Sequence, residues 1–307
     1  MLNVVFMGTP DFAVPTLEKL CNDKNINVSL VITKQDKKAN RGNILTESAV
    51  KKVAKKYNLP YAQPLKIKND TDVINKIKSL NPDFIIVVAY GEILSKEILD
   101  IPKFASINGH ASLLPKYRGA SPIQSAILNG DKITGTTAML MDEGLDTGDI
   151  LVQKELTLDE KETSETLFDK LSYLTADTLL YAIKNFENID RIKQEESIAT
   201  KSIIIKKEYG LIDFENETNV EIDRKVRAYT PWPSAYININ NVQYKIIDVS
   251  VIDDYDISIG TKITENIYIT KKEIIAKCKT GYLLINKLKK SGKNSLNAKD
   301  FINGLKL

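Results

Sequence analysis

The stretch Phe84-Ile85-Ile86-Val87-Val88-Ala89-Tyr90-Gly91 is a continuous apolar run, rich in β-branched residues, that ends in a glycine. A run of this length without polar alternation suits a strand buried on both faces, as in a parallel sheet covered by helices. The same signature recurs at Leu2 to Met7, Val28 to Ile32 and Ala105 to Ile107. Between these runs, Phe12 to Leu20, Val50 to Tyr57 and Val73 to Leu80 carry apolar residues at helical spacing. Strand and helix alternate, which predicts an α/β fold with a parallel sheet. Thr134 to Met141 and Ile150 to Leu156 read as two further strands joined by the Gly- and Asp-rich segment Asp142 to Asp149. Ser164 to Phe186 then reads as one long amphipathic helix, capped by Thr163 or Ser164.

Further along, the pattern changes. The stretch 188–207 is polar and charged with little periodicity, and is expected to be a linker between a domain spanning 1–187 and a second spanning 208–307. After a predicted helix from Val220 to Ala228 come short alternating runs: Ala235 to Ile239, Tyr244 to Val249, Ile267 to Thr270, Ile274 to Cys278 and Tyr282 to Leu288. They predict a small barrel or open β domain, closed by a helix near Ala298 to Ile302.

Composition excludes several classes. With 307 residues, 43% hydrophobic and 27% charged, the chain can bury two ordinary cores, and no apolar run is long enough to span a bilayer. Met1 to Met7 lacks the basic start and cleavage site of a signal peptide, so a cytoplasmic protein without membrane attachment is expected. Cys21 and Cys278 lie almost a chain length apart and there is one histidine, which argues against a disulfide framework or a zinc site. The net charge is only +3, yet the terminal segment from Lys271 is dense in lysine, including Lys277, Lys279, Lys287, Lys289 and Lys290, opposed only by Glu273 and Asp300. A solvated face is the commoner reading of such a run, and contact with phosphates is the alternative.

Ligands of open parallel sheets sit outside the carboxyl ends of the strands. Four such segments stand out. Gly8-Thr9-Pro10-Asp11-Phe12 lacks the spaced glycines of a dinucleotide site and reads as a tight turn with Asp11 as helix cap. Ala89-Tyr90-Gly91 would let backbone approach a ligand, or simply turn. In Asn108-Gly109-His110-Ala111-Ser112-Leu113-Leu114-Pro115, strand alternation puts Asn108 and His110 on one face. An amide can donate to an oxyanion while an imidazole handles a proton near neutral pH; a hydrogen-bonded structural histidine is the alternative. The segment Asp142-Glu143-Gly144-Leu145-Asp146-Thr147-Gly148-Asp149 offers a carboxylate that could orient His110, without saying which. No nucleophile elbow surrounds Ser112, and the acidic loop lacks EF-hand spacing.

Taken together, Phe6 to Ala13, Asn108 to Gly119 and Gly144 to Asp149 resemble the methionyl-tRNA formyltransferase family, within the folate-dependent formyltransferases. The likeness extends to Val226-Arg227-Ala228-Tyr229-Thr230-Pro231-Trp232-Pro233 and to Ala298 to Gly304. It implies a Rossmann-like N-terminal domain, an OB-like C-terminal barrel that binds tRNA, and a catalytic trio of Asn108, His110 and Asp146. It also implies a folate site drawing on Tyr90, Gly91, Ser112, Leu113, Leu114, Pro115 and Asp142. The loop Lys34 to Leu45, with Lys37, Lys38 and Arg41, is similar to the family insertion that reaches the tRNA acceptor end, although Asn40, Asn43 and Ile44 depart from its usual basic, glycine-rich form. The implied reaction moves the formyl group of 10-formyltetrahydrofolate, a co-substrate, to the amino group of initiator methionyl-tRNA. No permanently bound cofactor and no metal are implied, and a monomer is expected. The nucleotide-sugar formyltransferases, which share the trio and can keep a related second domain, are the rival reading. A non-catalytic nucleic-acid-binding protein would leave the pairing of Asn108 and His110 unexplained.

Overall fold

The structure is a computed structural model that describes residues 1–39, 44–240 and 242–304. In chain order its elements are β1 (Leu2–Gly8), α1 (Val14–Asn22), β2 (Ile26–Ile32), β3 (Lys37–Ala39), β4 (Ile44–Thr46), α2 (Ala49–Lys56), β5 (Tyr61–Ala62), α3 (Thr71–Ser79), β6 (Phe84–Val88), α4 (Lys96–Leu99), β7 (Ala105–His110), α5 (Pro122–Asn129), β8 (Ile133–Leu140), β9 (Ile150–Thr157) and α6 (Ser164–Lys184). After these come α7 (Asn219–Ala228), β10 (Tyr236–Ile239), β11 (Val242–Ile252), β12 (Thr261–Lys262), β13 (Ile267–Ile269), β14 (Ile274–Lys277), β15 (Tyr282–Lys290), β16 (Ser295–Asn297) and α8 (Ala298–Gly304). The chain divides into two compact units. One comprises Met1–Pro122, Ile133–Thr157 and Phe168–Ser202; the other comprises Ile123–Lys132, Leu158–Leu167 and the chain from Ile203 onward.

The first unit is a Rossmann-like layered fold around a seven-stranded sheet of order β5-β2-β1-β6-β7-β8-β9. Strands β5 to β7 in this order run parallel, as the continuous apolar runs predict. Every residue of β6 is buried, and Val5, Met7, Leu30, Ile32, Ile85 and Val87 share one core with Ile74, Ile77 and Ile98 of the covering helices. Gly8 ends β1 where a Cβ would stand 2.8 Å from that of Ala13, so the following turn can close tightly only without a side chain. The sheet is mixed rather than purely parallel, because β8 and β9 each run antiparallel to the preceding neighbour. Asp11 does not act as the helix cap expected of it. A short 3-10 turn over Asp11–Ala13 intervenes, and neither that turn nor α1 receives a side-chain cap. The stretch 188–207, read as a linker, is hydrogen-bonded into this unit as far as Ser202, with Ile192 pairing to Ile150 and Ser202 N donating to Arg118 O (2.8 Å).

The second unit is a curled antiparallel sheet, a half-barrel of order β10-β11-β15-β14-β13-β12 with β16 on β15. Alternation along β15 buries Leu283 and Ile285, and a register shift against β11 brings Leu288 to the same face, among Ile237, Ile246, Val249, Ile267, Ile274 and Ala276. Helix α7 packs its Ile222 and Val226 into the same core. It opens with a reciprocal cap, in which Thr218 Oγ1 accepts from Glu221 N (3.2 Å) and the Glu221 carboxylate accepts from Thr218 N (2.8 Å). Phe301 of α8 meets Tyr244 edge-on with ring centroids 5.4 Å apart.

Candidate active site

Strand β7 is central to the sheet, with Asn108 paired to Val87 of β6 on one side and to Met139 of β8 on the other. Two residues on, His110 pairs with Thr137. Gly109 between them has no alternative, since a Cβ there would stand 2.6 Å from Thr175 Cγ2 and 2.7 Å from Leu179 Cδ1 of α6. Thr175 Oγ1 hydrogen-bonds Thr136 Oγ1 (2.9 Å), which in turn donates to the His110 carbonyl (3.1 Å). The strand that carries both side chains is thus pinned through its backbone.

His110 is buried, 6% exposed. Its Nε2 lies 3.0 Å from the carbonyl oxygen of Tyr117, and its Nδ1 lies 3.7 Å from Oδ2 of Asp146. A carbonyl only accepts, so Nε2 carries a hydrogen and Nδ1 is the nitrogen left to gain or lose a proton. Asp146 Oδ2 also accepts from Gly119 N (2.7 Å). Asn108 is half-buried, and its side-chain amide makes no hydrogen bond among the described residues. The structure therefore brings Asn108, His110 and Asp146 to one place, with an uncommitted amide beside a histidine–carboxylate pair.

The turn after β7 is rigidly tied. Thr137 Oγ1 donates to Ser112 O (2.7 Å) and accepts from Leu114 N (3.1 Å) and Gln153 Nε2 (3.0 Å), while the same Gln153 amide donates to Leu114 O (2.8 Å). Ser112 is fully buried and its hydroxyl donates to Lys116 O (2.6 Å), so it supports the turn from within. Leu114 is buried, with Leu113 and Pro115 half-buried. Tyr90, just after β6, is 2% exposed and its phenol oxygen has no hydrogen-bond partner among the described residues. Burial, with Glu92 and Asp70 nearby, pushes that phenol well above its ordinary range. Gly91 is exposed, at a φ of +79° that glycine tolerates, near Lys34. Asp142 faces solvent, and its carboxylate holds the loop by accepting from Gly144 N (3.0 Å) and Thr147 Oγ1 (2.8 Å). Among the described residues no group of three or more His, Cys, Asp or Glu is placed to hold a metal ion.

Lys37 is exposed on β3, which forms a two-stranded hairpin with β4. Arg41 and the Lys38 side chain lie outside the described residues. Sequence reading singled out neither Gln194 nor the separate role of Arg118. Gln194 sits 48 residues from Asp146 in a stretch without periodicity, and no local pattern announces its contacts. No helix among the described residues is long and apolar enough to cross a membrane.

Residues 2–183 match the family described as Formyl transferase, and residues 204–306 match Formyl transferase, C-terminal domain. The chain belongs to the formyl transferase family, and it is a formyltransferase enzyme. Within that family it groups with the methionyl-tRNA formyltransferases. It is 44% identical over 306 residues to the one from Clostridium acetobutylicum, covering 99% of this chain and 97% of the relative. It is 42% identical over 309 residues to the one from Campylobacter jejuni, covering 100% and 98%. Among solved structures, an N-formyltransferase from Helicobacter canadensis in complex with folinic acid and dTDP-3-aminofucose shares the fold, with a TM-score of 0.66, 20% identity, and coverage of 93% of this chain and 99% of that one. HypX from Aquifex aeolicus in complex with tetrahydrofolic acid aligns with a TM-score of 0.63 at 16% identity over 99% of this chain, which spans about half (47%) of the HypX chain.

Proposed function

We propose that this protein transfers the formyl group of 10-formyltetrahydrofolate to the free amino group of methionine on initiator methionyl-tRNA, in the cytoplasm, for translation initiation. The observation that carries the chemistry is the uncommitted Asn108 amide on the strand face it shares with His110, whose Nδ1 faces Asp146 at 3.7 Å. The acceptor rests on the full-length identity to methionyl-tRNA formyltransferases.

Attack of the neutral amine on the formyl carbon moves an electron pair onto the formyl oxygen. Asn108 donates an N–H to that oxygen, a contact that strengthens as the charge develops. His110 joins it once Nδ1 is protonated, because Nε2 stays engaged with Tyr117 O. Asp146, facing Nδ1, accepts or relays the proton lost by the attacking amine. When the oxyanion collapses, the bond from the formyl carbon to N10 breaks, and the proton held by the His110 and Asp146 pair passes to that nitrogen. Tyr90, Gly91, Ser112, Leu113, Leu114, Pro115 and Asp142 are assigned to the folate site. In this role Ser112 and Asp142 act by shaping the turn and the loop, given where their own hydrogen bonds go. Lys37, Lys38 and Arg41, with the lysines of the terminal segment, supply phosphate contacts to tRNA.

The deciding experiment incubates the protein with 10-formyltetrahydrofolate and either methionyl initiator tRNA or a nucleotide-linked amino sugar. Formyl-methionyl-tRNA is the expected product. Formylation of the sugar alone would overturn the acceptor and favour the second reading, to which the likeness in fold to the Helicobacter canadensis enzyme points.

A further inference from the structure

Asp146 adopts φ of +54°, a left-handed backbone that a side-chain-bearing residue holds only where its surroundings enforce it. The surroundings that do so converge on one amide. Gln194 Nε2 donates one hydrogen to Asp146 O (2.8 Å) and the other to Gly148 O (2.8 Å), gripping the acidic loop on both sides of Thr147. Its Oε1 accepts from Arg118 Nε (3.0 Å), so a flipped amide would set oxygen against two carbonyls and nitrogen against a donor. Arg118 is itself buried, and its two terminal nitrogens reach the Glu196 carboxylate at 3.0 and 2.7 Å. The next residue, Gly119, is the one that donates to Asp146 Oδ2, and the preceding one, Tyr117, supplies the carbonyl that fixes His110 Nε2. The 117–119 turn and Gln194 thus hold the two halves of the His110 and Asp146 pair from one anchor.

We propose that Gln194, oriented by Arg118, is a positioning residue that sets the Asp146 carboxylate against His110; this inference rests on the catalytic reading of Asp146 above. Gln194 touches no reacting atom. It acts on the distance and angle at which the carboxylate meets Nδ1, and small displacements of such groups slow chemistry far more than they weaken substrate binding.

The test uses the full-length protein with Gln194→Met, which keeps the length but removes both donors, beside Asp146→Asn and the double variant. In single-turnover formylation, Gln194→Met is expected to lower the rate by roughly 10- to 100-fold with the folate donor's KM within about threefold. The pH–rate profile should shift in its acid limb, a change that a loosened loop distant from the proton transfer would not produce. In the Asp146→Asn background Gln194→Met should cost almost nothing more, since both changes remove one unit's contribution. Gln194→Glu, which retains the acceptor for Arg118, carries the same expectation if the Met variant melts early. A normal rate in Gln194→Met beside a crippled Asp146→Asn, or losses that multiply in the double variant, would overturn the positioning role alone. A near-normal rate in Asp146→Asn would overturn the catalytic reading of Asp146 and the positioning role with it.

Discussion

His110 presents Nε2 to the carbonyl oxygen of Tyr117 at 3.0 Å. One half of the imidazole is thereby spoken for, and all its acid–base chemistry is confined to Nδ1, which faces Asp146. Asp146→Asn keeps an oxygen for the Gly119 N–H but deletes the carboxylate that faces Nδ1 and can accept a proton. Its kcat should fall by about 10²- to 10⁴-fold with little change in folate KM. Steady-state kinetics across pH would check this, and a variant with unchanged kcat would remove Asp146 from the chemistry.

Asn108 has no partner among the described residues, so its amide costs nothing to redirect to a developing oxyanion. Asn108→Ala is expected to lower turnover by roughly 10²- to 10³-fold while donor affinity, measured by equilibrium titration with a non-transferable folate, stays within a few-fold. Equal losses in both would mean that Asn108 binds the ground state instead.

Gly109 faces α6 with no room for a methyl group, its virtual Cβ being 2.6 Å from Thr175 and 2.7 Å from Leu179. Gly109→Ala should destabilise the first unit by about 1–3 kcal/mol in urea unfolding, and should slow formylation because the strand between Asn108 and His110 must shift. An unchanged midpoint would show that α6 moves away freely.

Burial pushes the Cys278 thiol up to about 12 and that of Cys21 up to about 11. For a thiol raised in this way the folded state is favoured fully below the unfolded value and loses that advantage as pH climbs toward the folded one. Stability should therefore decline as pH rises above about 8.5–9, the unfolded thiol range. Native protein at neutral pH should resist an alkylating reagent that labels both cysteines in denaturant. Rapid native labelling of Cys278 would contradict its burial.

Lys37 stands exposed on β3, available to a phosphate. Affinity for tRNA should fall as salt rises, and Lys37→Ala should flatten the slope of log K against log salt by about 1 unit. A parallel line for the variant would take Lys37 out of the contact.

Much of the fold can be read along the chain because its signals are local. The apolar runs of β1, β2 and β6 and the helical spacing of α2 and α3 coincide with the observed elements, as does the capping of α6, where Thr163 Oγ1 accepts from Thr166 N (3.2 Å). Local signals also misled at Asp11, since a polar residue after a turn resembles a cap whether or not the helix starts beside it. The antiparallel β8 was not foreseeable from periodicity, which is the same for either strand direction.

By itself the sequence determined the residue types of the site and the pairing of Asn108 with His110, because two positions apart on a strand is a covalent fact about direction. It also determined the family, through motifs held in short contiguous stretches. The resemblance pointed to Asp146, but only the tertiary structure decided how its carboxylate meets the imidazole, which nitrogen of the ring is free, and what holds Asp146 in its left-handed turn. Those contacts join Asp146 to residues 27 and 48 positions away, Gly119 and Gln194. The hydrogen bonds there are short-ranged in space but carry no periodic trace in sequence, so the anchor of the site becomes visible only when the chain has folded around it.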